Sequence, residues 1–534
     1  MLRYVLAAIL LIAARPAQAQ AQAQQDHTHG AAEGHLGTVA FKNSCTQAAQ
    51  ADLLRGVAML HSFWYTAGEK SFRAALATDP ACAIAEWGIA SLMMNNALSG
   101  AGSNPVEAKK GQAALAHARS VGASTQRERD YIEAVGAYYK DFATRPERDR
   151  QATRASAYEA LAAKYPDDDE ARIFSALYIA GTQSQSDQTY AAYARATGIL
   201  EPLFRKFPDH PGIAHYMIHA YDAPPLAATG LAAARAYSAI APDAPHAQHM
   251  PSHIFTRVGA WAESVASNER AFTSALAGGE FSESQHAADY LVYADLQLAR
   301  DGSAAAATRA AMAVTVPAPV PAATFYARAA IPARLLLERG DWQGAANLPD
   351  VAAGQPYGAD ALTLFARAIG AARSGDADAA SRDADRLRAA QKALAVAGNT
   401  YWASEVEIQA IAATAWAAYA RGDKDAALAG MRDAADREDR QEKHIVTPGR
   451  ILPARELLGD MLMDAGQPAA ALVAYEASLL REPNRFRGLY GAARAADGTG
   501  DRAKAEIFAR QLLNQTKGTA TARPEVVWAR SLGG

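Results

Sequence analysis

Pro211-Gly-Ile-Ala-His215-Tyr-Met-Ile-His219-Ala-Tyr-Asp222 is followed by Pro245-His246-Ala-Gln-His249-Met-Pro251-Ser-His253-Ile-Phe-Thr-Arg-Val-Gly259. Laid one over the other, Pro211 meets Pro245, His215 meets His249 and His219 meets His253, each at an offset of 34 residues. A fixed period of that length marks a stacked supersecondary unit, because each copy can bury its apolar face only against its neighbours. Within each copy the histidines stand four residues apart, which puts both on one helix face about 6 Å apart along the axis.

The period is that of a tetratricopeptide (TPR) helix–turn–helix repeat, and the same grammar recurs along the chain. Gly56, Phe72, Ala75 and Pro80 fall at repeat positions 8, 24, 27 and 32 of a unit starting near Ala49. The 454–483 unit carries Gly459, Tyr475 and Pro483 in the same roles. Beyond residue 321 a turn glycine with an alanine five residues on recurs as Gly340/Ala345, Gly375/Ala380, Gly422/Ala427, Gly466/Ala471 and Gly500/Ala505. Thr125 and Glu128 spell a capping box for a helix that starts there. Half the residues are apolar, a fifth are charged and the net charge is -3, with no basic excess directed at nucleic acid. Alanine, leucine and arginine favour helix, and alternating Val/Ile/Thr runs are nearly absent. The expected fold is all-α, a TPR-like solenoid wound as a right-handed superhelix.

Arg3, the apolar run Val5 to Ala14 and Ala17-Gln18-Ala19 have the order of a secretory signal, giving a signal peptide at 1–19. That run is too short to span a bilayer, so a soluble periplasmic or secreted protein is expected. A Gln/Ala/His-rich stretch at 20–44 reads as disordered. The two cysteines, Cys45 and Cys82, pair as a disulfide in an oxidising compartment, worth about 3–4 kcal/mol by loop entropy; two buried small apolar residues are the alternative. The proline-rich 314–321 connection marks the boundary between an N-terminal superhelix at 45–313 and C-terminal repeats at 322–515, with a weakly ordered tail at 516–534.

Seven of the 13 histidines lie between His210 and His286. His215 and His219, and His249 and His253, form two i, i+4 pairs on first helices one repeat apart, the geometry by which a helix offers two imidazoles to one ion. Asp222 shares the face of His219 as a ligand or an orienting carboxylate, and His286, 33 residues after His253, extends the series. Pro251 interrupts the second pair, so a kink or late helix start there takes His249 out of line with His253. A His/Asp set suits Zn, Cu, Fe or Ni. Tyr216, Tyr221, Asp289 and Tyr290 are expected to line the same groove. Lys443-His444 lies far along the chain, within reach only if the superhelix folds back. No His-Glu-x-x-His, phosphate loop, Cys-x-x-Cys-His or Gly-x-Ser-x-Gly signature is present.

His61-Ser-Phe-Trp-Tyr, Asp79-Pro-Ala-Cys82, Ala85-Glu-Trp-Gly88, Arg127-Glu-Arg-Asp-Tyr131, His210 to Asp222, Ala244 to Gly259 and Ile451 to Asp460 together resemble a family of bacterial, mostly exported TPR proteins. The resemblance implies a helical superhelix and no particular activity. In TPR domains, positions 5 and 9 of a first helix face the ligand groove, where His215, His219, His249 and His253 fall. Two functions follow. One is a metal-dependent site built on these histidines, with Asp289 or Glu86 as the candidate base. The other is a scaffold whose histidine- and aromatic-lined groove holds a peptide or protein partner without metal.

Overall fold

Gly56 and Gly88 show why the helices pair as they do. Each lies against the fully buried ring of Phe72, and a Cβ on Gly56 would stand 2.7 Å from that ring. The helices Gln50–His61, Tyr65–Thr78 and Ala83–Leu92 therefore close on one aromatic side chain wherever glycine leaves room. The same arrangement recurs at the far end of the chain, where Gly459 and Gly491 flank Tyr475. The computed structural model, which describes residues 34–532, repeats this unit throughout: each helix packs on the next, and alternate helices stack on each other. The result is an all-α, TPR-like helical solenoid with no strand among the described residues.

The repeat turns follow from local chemistry. Gly340, Gly375, Gly422, Gly466 and Gly500 all adopt positive φ, which only glycine adopts freely. In four of these turns the next residue, Asp341, Asp376, Asp423 or Asp501, caps the following helix through its side chain. Thr125 and Glu128 form the reciprocal capping box read from the sequence. Pro211–Ala220 and Ala83–Leu92 are buried along their whole length, as inner helices covered on all sides, even though they carry His215, His219 and Glu86.

Three segments differ from the sequence reading. Residues 36–44, expected to be disordered, run as an ordered strap: Leu36 and Phe41 are buried, Phe41 stacks on Trp87 at 4.9 Å, and Thr38 N donates to the carbonyl of Asp209 at 2.9 Å. The signal peptide and most of the 20–44 stretch lie outside the described residues. The 516–534 tail contains a helix, Pro524–Leu532, held because Val526, Ala529 and Leu532 are buried and Arg523 pairs with Asp301. Across the 314–321 connection, read as a boundary between 45–313 and 322–515, helix Phe281–Gln297 packs directly on Ala322–Leu337, and residues from Leu36 onward form one compact unit.

The Cys45–Cys82 disulfide, with a Cα–Cα distance of 4.8 Å, ties this strap to the residue that opens helix Ala83–Leu92. Farther on, the solenoid folds back on itself. Residues 441–452 leave the repeat path and cross the interior, where the buried Arg334 donates to the carbonyls of Gly449 at 2.7 Å and Arg450 at 3.1 Å and to Thr447 Oγ1 at 2.7 Å.

Gly88→Ala and Gly491→Ala should each destabilise the protein by about 1–3 kcal/mol through overpacking against the ring. Gly302→Ala, in an exposed helical position with open space around it, should be neutral or stabilising by up to about 1 kcal/mol. Urea midpoints of the three variants check this; equal midpoints for Gly88→Ala and Gly302→Ala would contradict the packing account.

Candidate metal centre

Helix Pro211–Ala220 points His215 and His219 into the interior, with their Nε2 atoms 3.1 Å apart. The second pair sits on two short helices, Pro245–His249 and Pro251–Val258, joined through Met250. Pro251 has no N–H to donate, so the hydrogen-bond ladder breaks there, yet Met250 keeps helical angles of φ -53° and ψ -37°. The path continues without a bend large enough to separate the pair, and His249 Nε2 also lies 3.1 Å from His253 Nε2. The expected misalignment of His249 is corrected: Pro251 costs a hydrogen bond and leaves the register intact. His219 and His253 meet edge to face at 5.6 Å between centroids, so the two repeats share one site.

Two more imidazoles complete it. His286, on helix Phe281–Gln297, lies 4.4 Å from the ring of His249. His246 lies 5.1 Å from His215 and 6.0 Å from His249. His246 escaped the sequence reading because it occupies no groove position of the repeat; its i, i+3, i+7 spacing with His249 and His253 was the available signal. The ligand atoms fall into two groups, His215/His219/His246 and His249/His253/His286, each with its atoms within 4.8 Å of one another.

What the outer nitrogens do is decided by their partners. His215 Nδ1 is 2.7 Å from the carbonyl of His61, His249 Nδ1 is 2.7 Å from Asn268 Oδ1, and His246 Nδ1 is 2.8 Å from Glu283 Oε1. His253 Nδ1 is 2.9 Å from Asp222 Oδ2. All four partners are acceptors, so each Nδ1 carries the proton and each Nε2 turns a lone pair inward. Asn268 is oriented by its own amide, which donates to the carbonyl of Ser264 at 2.8 Å. The buried His219 Nδ1, His246 Nε2 and His286 Nδ1 have no hydrogen-bond partner in the protein. Burial, reinforced by the neighbouring imidazoles, holds His215, His219 and His249 well below the ordinary histidine range. Burial also lowers His253 against the pull of Asp222 and brings His286 down to about 3.

The remaining residues named from the sequence are distributed as follows. Asp222 lies behind His253 and not among the inner nitrogens: Oδ1 accepts from Arg257 Nε at 2.7 Å, and Oδ2 faces His253 and Lys443 Nζ, the latter at 3.3 Å. Burial alone would raise this carboxyl, but Lys443, Arg257 and His253 outweigh it and hold Asp222 well below the usual carboxylate range. Burial lowers Lys443 to about 8. Tyr290 packs on His249, His253 and His286, its hydroxyl 3.1 Å from the carbonyls of Ile445 and Thr447. Phe63 covers the other group, with His215 at 4.4 Å. Three residues face elsewhere. Asp289 pairs with Arg334 at 2.7 Å, Tyr216 reaches His61 Nδ1 at 2.9 Å, and Tyr221 bonds Glu201. Neither candidate base reaches the rings, since Glu86 is taken by His117 at 2.7 Å. Lys443 arrives by the fold-back of 441–452, while His444 bonds the carbonyl of Ser99 at 2.9 Å.

No protein-family model matches this chain, and no curated protein does either. Among solved structures, the human IFIT1 dimer with m7Gppp-AAAA is similar at 12% identity, covering 77% of this chain and 87% of that one, with a TM-score of 0.35. The APC/C hetero-tetramer Cut9–Hcn1 is similar at 12% identity over 92% of this chain and 78% of that one, with a TM-score of 0.34. Similarity at this level carries no inference about ligand or partner.

Asp222→Ala should cost about 3–5 kcal/mol, because it takes the carboxylate from buried Lys443 and leaves Arg257 only Glu442, 3.5 Å away. Lys443→Met removes a charge from the network and should cost less. Thermal or urea unfolding of both variants ranks them; the reverse order would show that Asp222 does not hold the interior together.

Proposed function

We propose that this protein is an exported, transition-metal-binding repeat protein whose six clustered histidines hold two ions, three imidazoles to each. One observation carries the reading. His249 and His253 both spend their Nδ1 protons on oxygen acceptors, so two bare Nε2 lone pairs face each other 3.1 Å apart in the interior. Such a contact repels unless a cation lies between them, and burial disfavours a proton as that cation. Two nitrogens bound at about 2.0–2.1 Å to one tetrahedral ion lie about 3.3 Å apart, close to the observed spacing. The His215–His219 pair has the same spacing.

The acceptors behind the rings, Asp222, Glu283, Asn268 and the His61 carbonyl, are the kind of support that fixes imidazole tautomer and orientation at metal sites. The donor set is nitrogen only, which suits Zn, Cu, Fe or Ni. Three protein ligands to an ion leave coordination open for Lewis-acid or redox chemistry. Phe63 and Tyr290 cover the buried rings, while His246 and His286 keep a partly exposed edge. The same burial disfavours the scaffold reading at these residues: His215, His219, His249 and His253 are 0–2% exposed, and a peptide lying in a groove would not touch them. The Cys45–Cys82 disulfide supports an oxidising compartment and hence export.

Elemental analysis of untagged protein, loaded with Zn²⁺ and desalted, tests the reading. The His219→Ala/His253→Ala double variant should bind two fewer ions per chain than wild type at unchanged helix content. His117→Ala, an exposed partner of Glu86, should bind as wild type. Equal metal content in the double variant and wild type would overturn the proposal.

A further inference from the structure

A second cluster stands apart from the six histidines. His61 Nε2 lies 3.0 Å from Glu170 Oε2, and His210 Nε2 lies 3.0 Å from Glu170 Oε1. The three residues come from three helical units that the solenoid brings together: the end of Gln50–His61, the start of Asp169–Ala180 and the N-cap of Pro211–Ala220. All are at least 95% buried, and their ligand atoms lie within 4.8 Å of one another. His210 Nδ1 is buried with no hydrogen-bond partner in the protein.

We infer that His61, Glu170 and His210 form a third transition-metal site, at the floor of a surface cleft. Two imidazoles and one carboxylate are a known open-site ligand set for zinc and for non-haem iron. The Tyr216 hydroxyl, 2.9 Å from His61 Nδ1, can donate or accept. Without an ion, His61 Nε2–H donates to Glu170 and Nδ1 accepts from Tyr216; an ion beside Glu170 favours the other tautomer, with Nδ1–H donating to Tyr216 and Nε2 bare. Here the donor set includes one formal charge, where the inner centre offers neutral nitrogens alone.

Access comes from outside. Glu170 and His210 line a cleft of about 370 Å³ whose other walls include Asp167, Asp169, Asp209, Lys42 and Lys206. Asp167 and Asp209 are exposed at its mouth, while Lys206 is engaged by Asp169 at 2.7 Å, so the opening favours cations. Inward, the His61 carbonyl accepts from His215 Nδ1 at 2.7 Å, so the cluster and the inner centre meet at one residue.

The site does not depend on the six-histidine reading, and the test separates the two. Metal-free full-length protein is loaded with Zn²⁺, desalted and taken to elemental analysis. His210→Ala, and His210→Gln as a variant that keeps a hydrogen bond to Glu170, should each bind one ion fewer than wild type. In the His219→Ala/His253→Ala background one ion should persist and be lost when His210→Ala is added. If that background binds no ion while wild type does, the third site is wrong and the inner centre stands. Equal metal content in wild type and both His210 variants would likewise overturn the third site.

Discussion

Asp222 is the charge on which the interior depends. Its two oxygens serve three tasks at once: one turns His253 so that Nε2 faces His249, one fixes Arg257, and the shared oxygen receives Lys443 from the fold-back segment. A buried carboxylate is costly alone, and two buried cations are costlier. Together with His253 they are mutually satisfied, and the same exchange of charge draws residues 441–452 across the site. Ring orientation and enclosure of the centre therefore have one electrostatic cause.

Around that charge the solenoid supplies walls. An ordinary repeat array exposes its inner helices on a concave surface, but here Pro211–Ala220 is buried along its whole length. The N-terminal helix Gln50–His61 packs against it out of repeat order, bringing His61 to Tyr216 and His215. Arg334 then pins the returning segment from the other side through Asp289, Thr447, Gly449 and Arg450. Closure turns a groove into an interior, and it changes what the histidines can bind: a peptide needs an open surface, an ion needs only converging lone pairs.

Much of this was legible in the residues. The 34-residue offset, the Gly56/Phe72 and Gly459/Tyr475 spacings and the turn glycines specify the repeat, because helix pairing depends on local volumes a few residues apart. The i, i+4 histidine pairs were legible for the same reason: one helix fixes their relative position. The effect of Pro251 was not, since a proline costs the helix one donor but its neighbours decide whether the path bends. Packing of the 245–258 segment against Pro211–Ala220 and Trp261–Ala277 keeps it in line.

What only the tertiary structure decided is which polar groups meet. Asp222 and Lys443 are 221 residues apart, His61 and Glu170 are 109 apart, and no periodicity links either pair. Repeat patterns describe contacts between neighbours; the curvature that brings distant repeats together is the sum of many small packing angles. The sequence by itself determined an all-α solenoid and two histidine pairs on one inner face. The folded chain decided that six imidazoles converge on one site and that carboxylates stand behind two of them. It also decided that a separate His–Glu–His cluster forms beside that site, because burial and ion pairing are settled by the whole chain at once.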